Sequence, residues 1–188
     1  MQTIPLFDRY TLRPLRAEDA PAIFAAIDTQ RDYLGRWLPF VAVTHYIGQT
    51  QEVVARMLAD AANPVFTLRD GPDFAGLIGC KSADAATGAI EIGYWLREEK
   101  QGKGLMTAAV RALCEIAFGQ LGMSRVEIRC GVGNLPSNRI PQRLGFRCSH
   151  VEIRREQLSD GEWIDLNVYV LSKEEAGNPK AAVGNPKA

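Results

Sequence analysis

The 188-residue chain lacks an excess of either charge: Lys and Arg together number 22, and Asp and Glu also number 22. A dedicated nucleic-acid binder advertises a basic excess or stripe, so nucleic acid is not an expected partner. Histidine is scarce, with only His45 and His150, and the four cysteines, Cys80, Cys114, Cys130 and Cys148, form no C-x-x-C pair. A structural zinc site gathers about four such ligands at short spacings, so no metal is expected. The cysteines read instead as reduced thiols, with Cys80, Cys114 and Cys148 buried. Long apolar runs are missing too. The charge-free stretch 37–51 contains Pro39, His45 and several amides, whereas a spanning helix needs ~20 mainly apolar residues. The first residues show neither the basic start nor the apolar run of a signal peptide. Together these absences predict a cytoplasmic chain with no membrane partner.

What is present suits one packed α+β domain. The alternating segment Tyr10–Arg16 reads as an edge strand or a short one because of Pro14. A helix is expected over Glu18–Ile27, then a short helix and loop across Asp28–Phe40, and a second amphipathic helix over Gln49–Ala61. That second helix should turn Val53, Val54, Met57 and Leu58 inward. Val65–Arg69 and Phe74–Ser82 flank Asp70-Gly71-Pro72-Asp73, which is hairpin chemistry. A third strand is expected at 89–96 and a long helix at 104–121, with Leu105, Ala109, Leu113, Ile116 and Ala117 facing the core. A strand at 125–131, a helix at 136–144 stopped by Gly145, and a hairpin of Phe146–Arg155 with Trp163–Leu171 complete the domain, 1–173. Residues 174–188 hold Gly-Asn-Pro-Lys-Ala twice, a low-complexity composition that predicts a disordered tail.

The most informative stretch is Glu91–Thr107: a strand, a loop with Gly102 and Gly104, and a helix N-terminus. Amides converging in such a loop, with the helix dipole behind them, form an anion site suited to phosphate. The dipole alone contributes only ~0.3–1 kcal/mol, so several amides must act together. Neither a Walker A loop nor a G-x-G-x-x-G fingerprint can be written on these residues.

Here the chain resembles the GNAT acyltransferases, whose acetyl-CoA loop reads Gln/Arg-x-x-Gly-x-Gly/Ala. Gln101-x-x-Gly104 matches, while Met106 stands where the family has a small residue. Asn134-x-x-Ser137 followed by Leu144-Gly145-Phe146 resembles a second family element. Tyr94-Trp95-Leu96, Leu12-Arg13-Pro14-Leu15 with Asp19, and Trp37-Leu38-Pro39 are similar to the RimJ/RimL branch, which acetylates protein N-termini. The resemblance covers about residues 8–173. It implies a GNAT fold: a central mixed, mostly antiparallel sheet flanked by helices and splayed between the strands at 89–96 and 125–131.

The resemblance also implies roles. Backbone groups of Tyr94, Trp95 and Leu96 run along pantetheine, and an amide near Leu96 polarises the acetyl carbonyl. Gln101, Gly102, Lys103, Gly104, Leu105, Met106 and Thr107 surround the phosphates of acetyl-CoA, the acyl donor. Ser137 donates to the departing sulfur, unless it merely caps its helix. Asn134 either bonds pantetheine or orders the helix start. Glu156 is the first candidate base and Glu91 the second, while Glu98, Glu99 and Glu127 read as solvated charges, the last beside Arg125 and Arg129 on one face of its strand. Cys130 ends its strand near the cofactor thiol, as a packing residue, a redox-sensitive contact or, with no activating His-Asp pair evident, a covalent nucleophile. Tyr33, Trp37 and Phe40 line the acceptor side. The expected activity is acetyl transfer to a protein or peptide α-amine by direct attack in a ternary complex, with a homodimer implied by RimL-like enzymes. A small-molecule amine acceptor, a different acyl donor, or a non-catalytic acyl-CoA sensor are the alternatives the residues leave open.

Overall fold

Local chemistry sets each turn of the sheet in the computed structural model, which describes residues 1–177. Gly71, at φ +59°, and Pro72 close the hairpin between β3 (Val65–Asp70) and β4 (Asp73–Asp84). Asp84 then caps the next turn, accepting from the Ala86 amide and the Thr87 hydroxyl at 2.9 and 2.8 Å, before β5 (Ala89–Leu96). On the other side of β3 lie β2 (Tyr10–Pro14) and β1 (Ile4–Phe7). The second half of the chain contributes β6 (Arg125–Gly131), β7 (Arg147–Gln157) and β8 (Trp163–Ser172). The sheet order is β1-β2-β3-β4-β5-β6-β8-β7, antiparallel throughout except for the β5–β6 pair.

That one parallel pair requires a crossover, supplied by α5 (Leu105–Gly119), the longest helix. Its expected inward face holds: Leu105, Ala109, Leu113, Ile116 and Ala117 are all buried against Ile78, Ile90, Ile92, Val126 and Ile128. The opposite sheet face carries a second core under α1 (Ala20–Thr29) and α4 (Ile47–Ala59), with Ile23, Ile27 and Val54 meeting Phe74 and Leu77. Between those helices sit two single turns, α2 (Arg31–Leu34) and α3 (Phe40–Val43). The short helix α6 (Leu135–Arg143) follows β6, and a last turn, α7 (Lys173–Ala176), is capped by Ser172. The tail expected from residue 174 thus begins with this ordered turn, and its part from 178 onward lies outside the described residues.

Three expectations are corrected. β1 was unforeseen, being four residues long and interrupted by Pro5. In α4 the buried stripe is Thr50 and Val54 with Met57 beside them, whereas Val53 and Leu58 are 37% and 45% exposed. Spacing of four and three residues sets that stripe, and the adjacent apolar pairs cannot all face one way. Cys148 is exposed because β7 is the outermost strand of the sheet and most of its residues face solvent.

Candidate active site

β5 and β6 pair only over Ala89–Glu91 and Arg125–Glu127. Beyond Glu91, β5 stays with β4 as far as Leu96, and β6 stays with β8 as far as Gly131. The strands therefore diverge, and the β6-facing edge of β5 from Ile92 to Leu96 has no ladder partner. Such backbone groups need one when buried. A cavity of about 560 Å³ lies along the opening, between the loop before α5 and the start of α6.

The loop floor explains its glycines. Gly102 and Gly104 have φ of +73° and +77°, and Gly104 is the N-cap of α5. A Cβ added at either would touch nothing within 4 Å, so backbone conformation rather than space requires glycine there. No side chain caps α5, which leaves its first N–H groups without protein acceptors. The loop is held from three directions. Arg97 N donates to Ala75 O at 2.9 Å, and Lys100 Nζ to Asp70 at 2.8 Å. Gln30, at the end of α1, accepts from the Glu98 amide at 3.0 Å and donates to Glu99 at 2.7 Å. Gln101 donates to the Tyr33 hydroxyl. These residues fit the phosphates of a coenzyme A: open amides, left-handed glycines and a braced loop.

At the other end, Asn134 caps α6, its Oδ1 accepting from Ser137 N at 3.3 Å. Capping therefore falls to Asn134, and the Ser137 hydroxyl is left on the cavity wall. Ser137 Oγ lies 3.2 Å from Cys130 Sγ and 3.4 Å from the Tyr94 hydroxyl, which itself donates to Ser137 O at 3.3 Å. Burial pushes the Tyr94 phenol well above its usual range, with Cys130 adding to the shift. Burial also raises the Cys130 thiol, against the lowering effect of its contacts with Ser137 and Tyr94. Both groups are protonated at neutral pH.

Of the residues singled out from the sequence, the cavity brings together Tyr33, Trp37, Tyr94, Trp95, Leu96, Gln101, Gly102, Gly104, Leu105, Met106, Thr107, Asn134 and Ser137. Met106 is only 5% exposed and packs into the core beneath α5, so its bulk is spent inward. Trp37 lies over the end of β6: a Cβ at Gly131 or Gly133 would meet its ring at 3.1 or 3.2 Å.

Four expected residues are elsewhere. Lys103 and Phe40 do not line the cavity, and Phe40 is 39% exposed at the start of α3. Glu91 is ion-paired with Arg129 at 2.8 Å and Lys81 at 2.9 Å. Glu156 sits opposite Ile164 in the β7–β8 hairpin, outside the cavity. Glu127 lies beside Arg125 and Arg129 on one face of its strand, as expected, and pairs with both at 2.9 and 3.1 Å. The cavity adds residues that the sequence reading missed, among them Arg36, Lys100, Arg139 and Arg143. Helical spacing from Pro136 through Arg139 to Arg143 was the available signal.

No cluster of three or more His, Cys, Asp or Glu side chains suited to a metal occurs among the described residues, and no helix there is long and apolar enough to cross a membrane. The acetyltransferase (GNAT) domain family matches residues 9–147. A Bacillus subtilis (strain 168) protein named "Putative ribosomal N-acetyltransferase YdaF" is 31% identical over 184 residues, covering 93% of this chain and 97% of the relative. The ribosomal-protein-serine acetyltransferase of Escherichia coli (strain K12) is 32% identical over 106 residues, 56% of this chain and 58% of that one. Among solved structures, RimL, a ribosomal L7/L12 alpha-N-protein acetyltransferase in complex with coenzyme A, superposes with a TM-score of 0.87 at 23% identity, covering 93% and 99% of the two chains. The family match over residues 9–147, and a relative 31% identical across nearly the whole of both chains, show that the chain belongs to the GNAT N-acetyltransferases.

Proposed function

We propose that this enzyme uses acetyl-CoA to acetylate the N-terminal α-amine of a protein or peptide by direct attack, in the cytoplasm. One observation carries the choice of acceptor: the ionisable groups lining the cavity are cationic or phenolic, with Arg36, Lys100, Arg139 and Arg143 but no carboxylate or histidine. Such a wall offers an ammonium no base, so the amine must react from its neutral form. An α-amine with pKa ~7.7–8.0 is about a tenth or more neutral at pH 7, whereas a lysine at ~10.4 is neutral in only a few parts in ten thousand. The difference of about 3.5 kcal/mol is one that this wall does not supply. Relatives named for ribosomal proteins support a protein acceptor.

The bound donor supplies an activated thioester whose thiol leaves with a pKa near ~8.5, so little acid is demanded. Ser137 meets that demand with one hydrogen bond to the departing sulfur. Tyr94, protonated and pinned to the Ser137 carbonyl, holds the same turn. Arg139 and Arg143 balance the phosphate charge, while Lys100 stays tied to Asp70. Glu91 and Glu156 have no part in this reading, and the proton of the amine passes to water.

Release of free CoA, measured with peptides varied at their first two residues, tests it. Free N-termini should turn over selectively, with an N-blocked lysine peptide more than about 100-fold slower. Ser137→Ala should lower kcat by ~10²-fold, while Glu156→Gln and Glu91→Gln leave it near wild type. Turnover confined to small-molecule amines would replace the protein acceptor with a metabolite.

A further inference from the structure

Ser137 occupies the first turn of a nine-residue helix whose apolar anchorage lies toward its far end, where Pro141 is buried and Ile140 packs against the core; in the first turn and a half only Asn138 is buried. An isolated helix of this length is marginal in water, so its aim must come from elsewhere. The source is the next residue. Asn138 is 4% exposed, and both ends of its amide are fully engaged. Its Nδ2 donates to Gly131 O at 2.8 Å and to Asn134 O at 2.7 Å. Its Oδ1 accepts from Asn167 Nδ2 at 2.8 Å and from the Tyr169 hydroxyl at 3.0 Å. Tyr169 in turn accepts from Gln142 Nε2 at 3.0 Å, which ties the last turn of the same helix to the network.

One buried amide thus joins the first turn of α6 to the end of β6, to its own cap residue and to two residues of β8. Successive residues on a helix point ~100° apart. With Asn138 locked toward the sheet, Ser137 is turned onto the cavity wall beside Tyr94 and Cys130. The network is fully satisfied, the condition under which buried polar groups rigidify a site.

We propose that Asn138 is a positioning residue for acetyl transfer: it sets the direction of the Ser137 hydroxyl, and turnover depends on it through Ser137. This rests on the proposed role of Ser137. It makes the pair act as a unit, so their losses must not multiply.

The test is a double-mutant cycle on the full chain, with Ser137→Ala, Asn138→Ala and the double variant. It reads kcat, KM for acetyl-CoA and the thermal midpoint, using whichever peptide the wild type acetylates best. Asn138→Ala should lower kcat by ~10–100-fold, bounded by the Ser137→Ala loss, with KM for acetyl-CoA changed by no more than about twofold. In the Ser137→Ala background the same substitution should cost no more than about twofold. If the losses multiply while Ser137→Ala shows its expected effect, the positioning role is overturned and the Ser137 reading stands. If Asn138→Ala lowers the thermal midpoint with kcat unchanged, the residue is purely structural. If Ser137→Ala turns over like wild type, both readings fall together. Should Asn138→Ala not fold, Tyr169→Phe removes one of the two donors to Asn138 Oδ1 with little change of shape. The cycle with Ser137→Ala is then run on that variant, with a smaller loss in kcat and the same non-additivity expected.

Discussion

A hydroxyl, a thiol and a phenol meet within 4 Å at the inner end of the cavity, on Ser137, Cys130 and Tyr94. Their environments assign them different work. A nucleophilic cysteine needs its thiolate, which low-pKa sites create with a nearby cation or a helix N-terminus. Cys130 has the reverse: burial raises its pKa, and it is 3% exposed between two hydroxyl groups. It is therefore a packing neighbour of Ser137 rather than an acyl carrier. Cys130→Ala should keep kcat within about tenfold of wild type, against the ~10²-fold loss predicted for Ser137→Ala. Iodoacetamide at neutral pH should label exposed Cys148 first and buried Cys80, Cys114 and Cys130 slowly, as peptide mapping would show. Fast labelling of Cys130, or a loss on its removal matching that of Ser137, would restore a covalent route.

At the scale of elements, glycines at the two ends of α5 make opposite demands. Gly104 starts the helix at φ +77°, a conformation costing an L side chain ~1–2 kcal/mol. Gly119 ends it within ordinary helical backbone, and a Cβ there meets nothing within 4 Å. Gly104→Ala should lower the thermal midpoint by about 2–4 °C for each kcal/mol lost, and Gly119→Ala should raise it through the ~0.4–1 kcal/mol of unfolded-chain entropy removed. Calorimetry on the two variants separates them by sign. This is also why the loop could be read in the sequence: glycine spacing before a helix has a backbone cause that no distant residue alters. The start of α6 was readable for the same reason, since Asn134 caps it locally. β1 and the face of α4 were not, because Pro5 hides a strand completed only by pairing with β2, and packing on α1 decides which of several apolar residues turns inward.

Over the whole molecule, the sheet is two half-sheets joined by three paired residues on each side, Ala89–Glu91 and Arg125–Glu127. Opening the strands for a cofactor forfeits ladder bonds beyond that point, and the joint is reinforced by charge. Arg129, just past the last pair, reaches Glu91 on β5 at 2.8 Å, Glu127 on its own strand at 3.1 Å and Glu152 on β7 at 3.2 Å. The fate of Glu91 was hidden from the sequence because its partner lies 38 residues away and only the crossover brings the two together. At Glu152 burial opposes ionisation, yet hydrogen bonds and charge from Arg129 outweigh it and hold the carboxyl below its usual range. A carboxyl with a lowered folded pKa stabilises the fold above its unfolded value of ~4.3, and that contribution disappears as pH falls through the folded value. Arg129→Met keeps an apolar stem but removes the one cation shared by three carboxylates, leaving Glu91 with Lys81, Glu127 with Arg125 and Glu152 with Arg155. It should cost about 1–3 kcal/mol at pH 7, and the part of the gap that Glu152 carries should shrink as pH falls below its unfolded value of ~4.3 and through its lowered folded value. Thermal midpoints of the two proteins from pH 8 to pH 3.5 measure this directly. A gap that stays constant across the range would mean that the arginine holds the joint by packing its stem and that charge has no part in closing the splay.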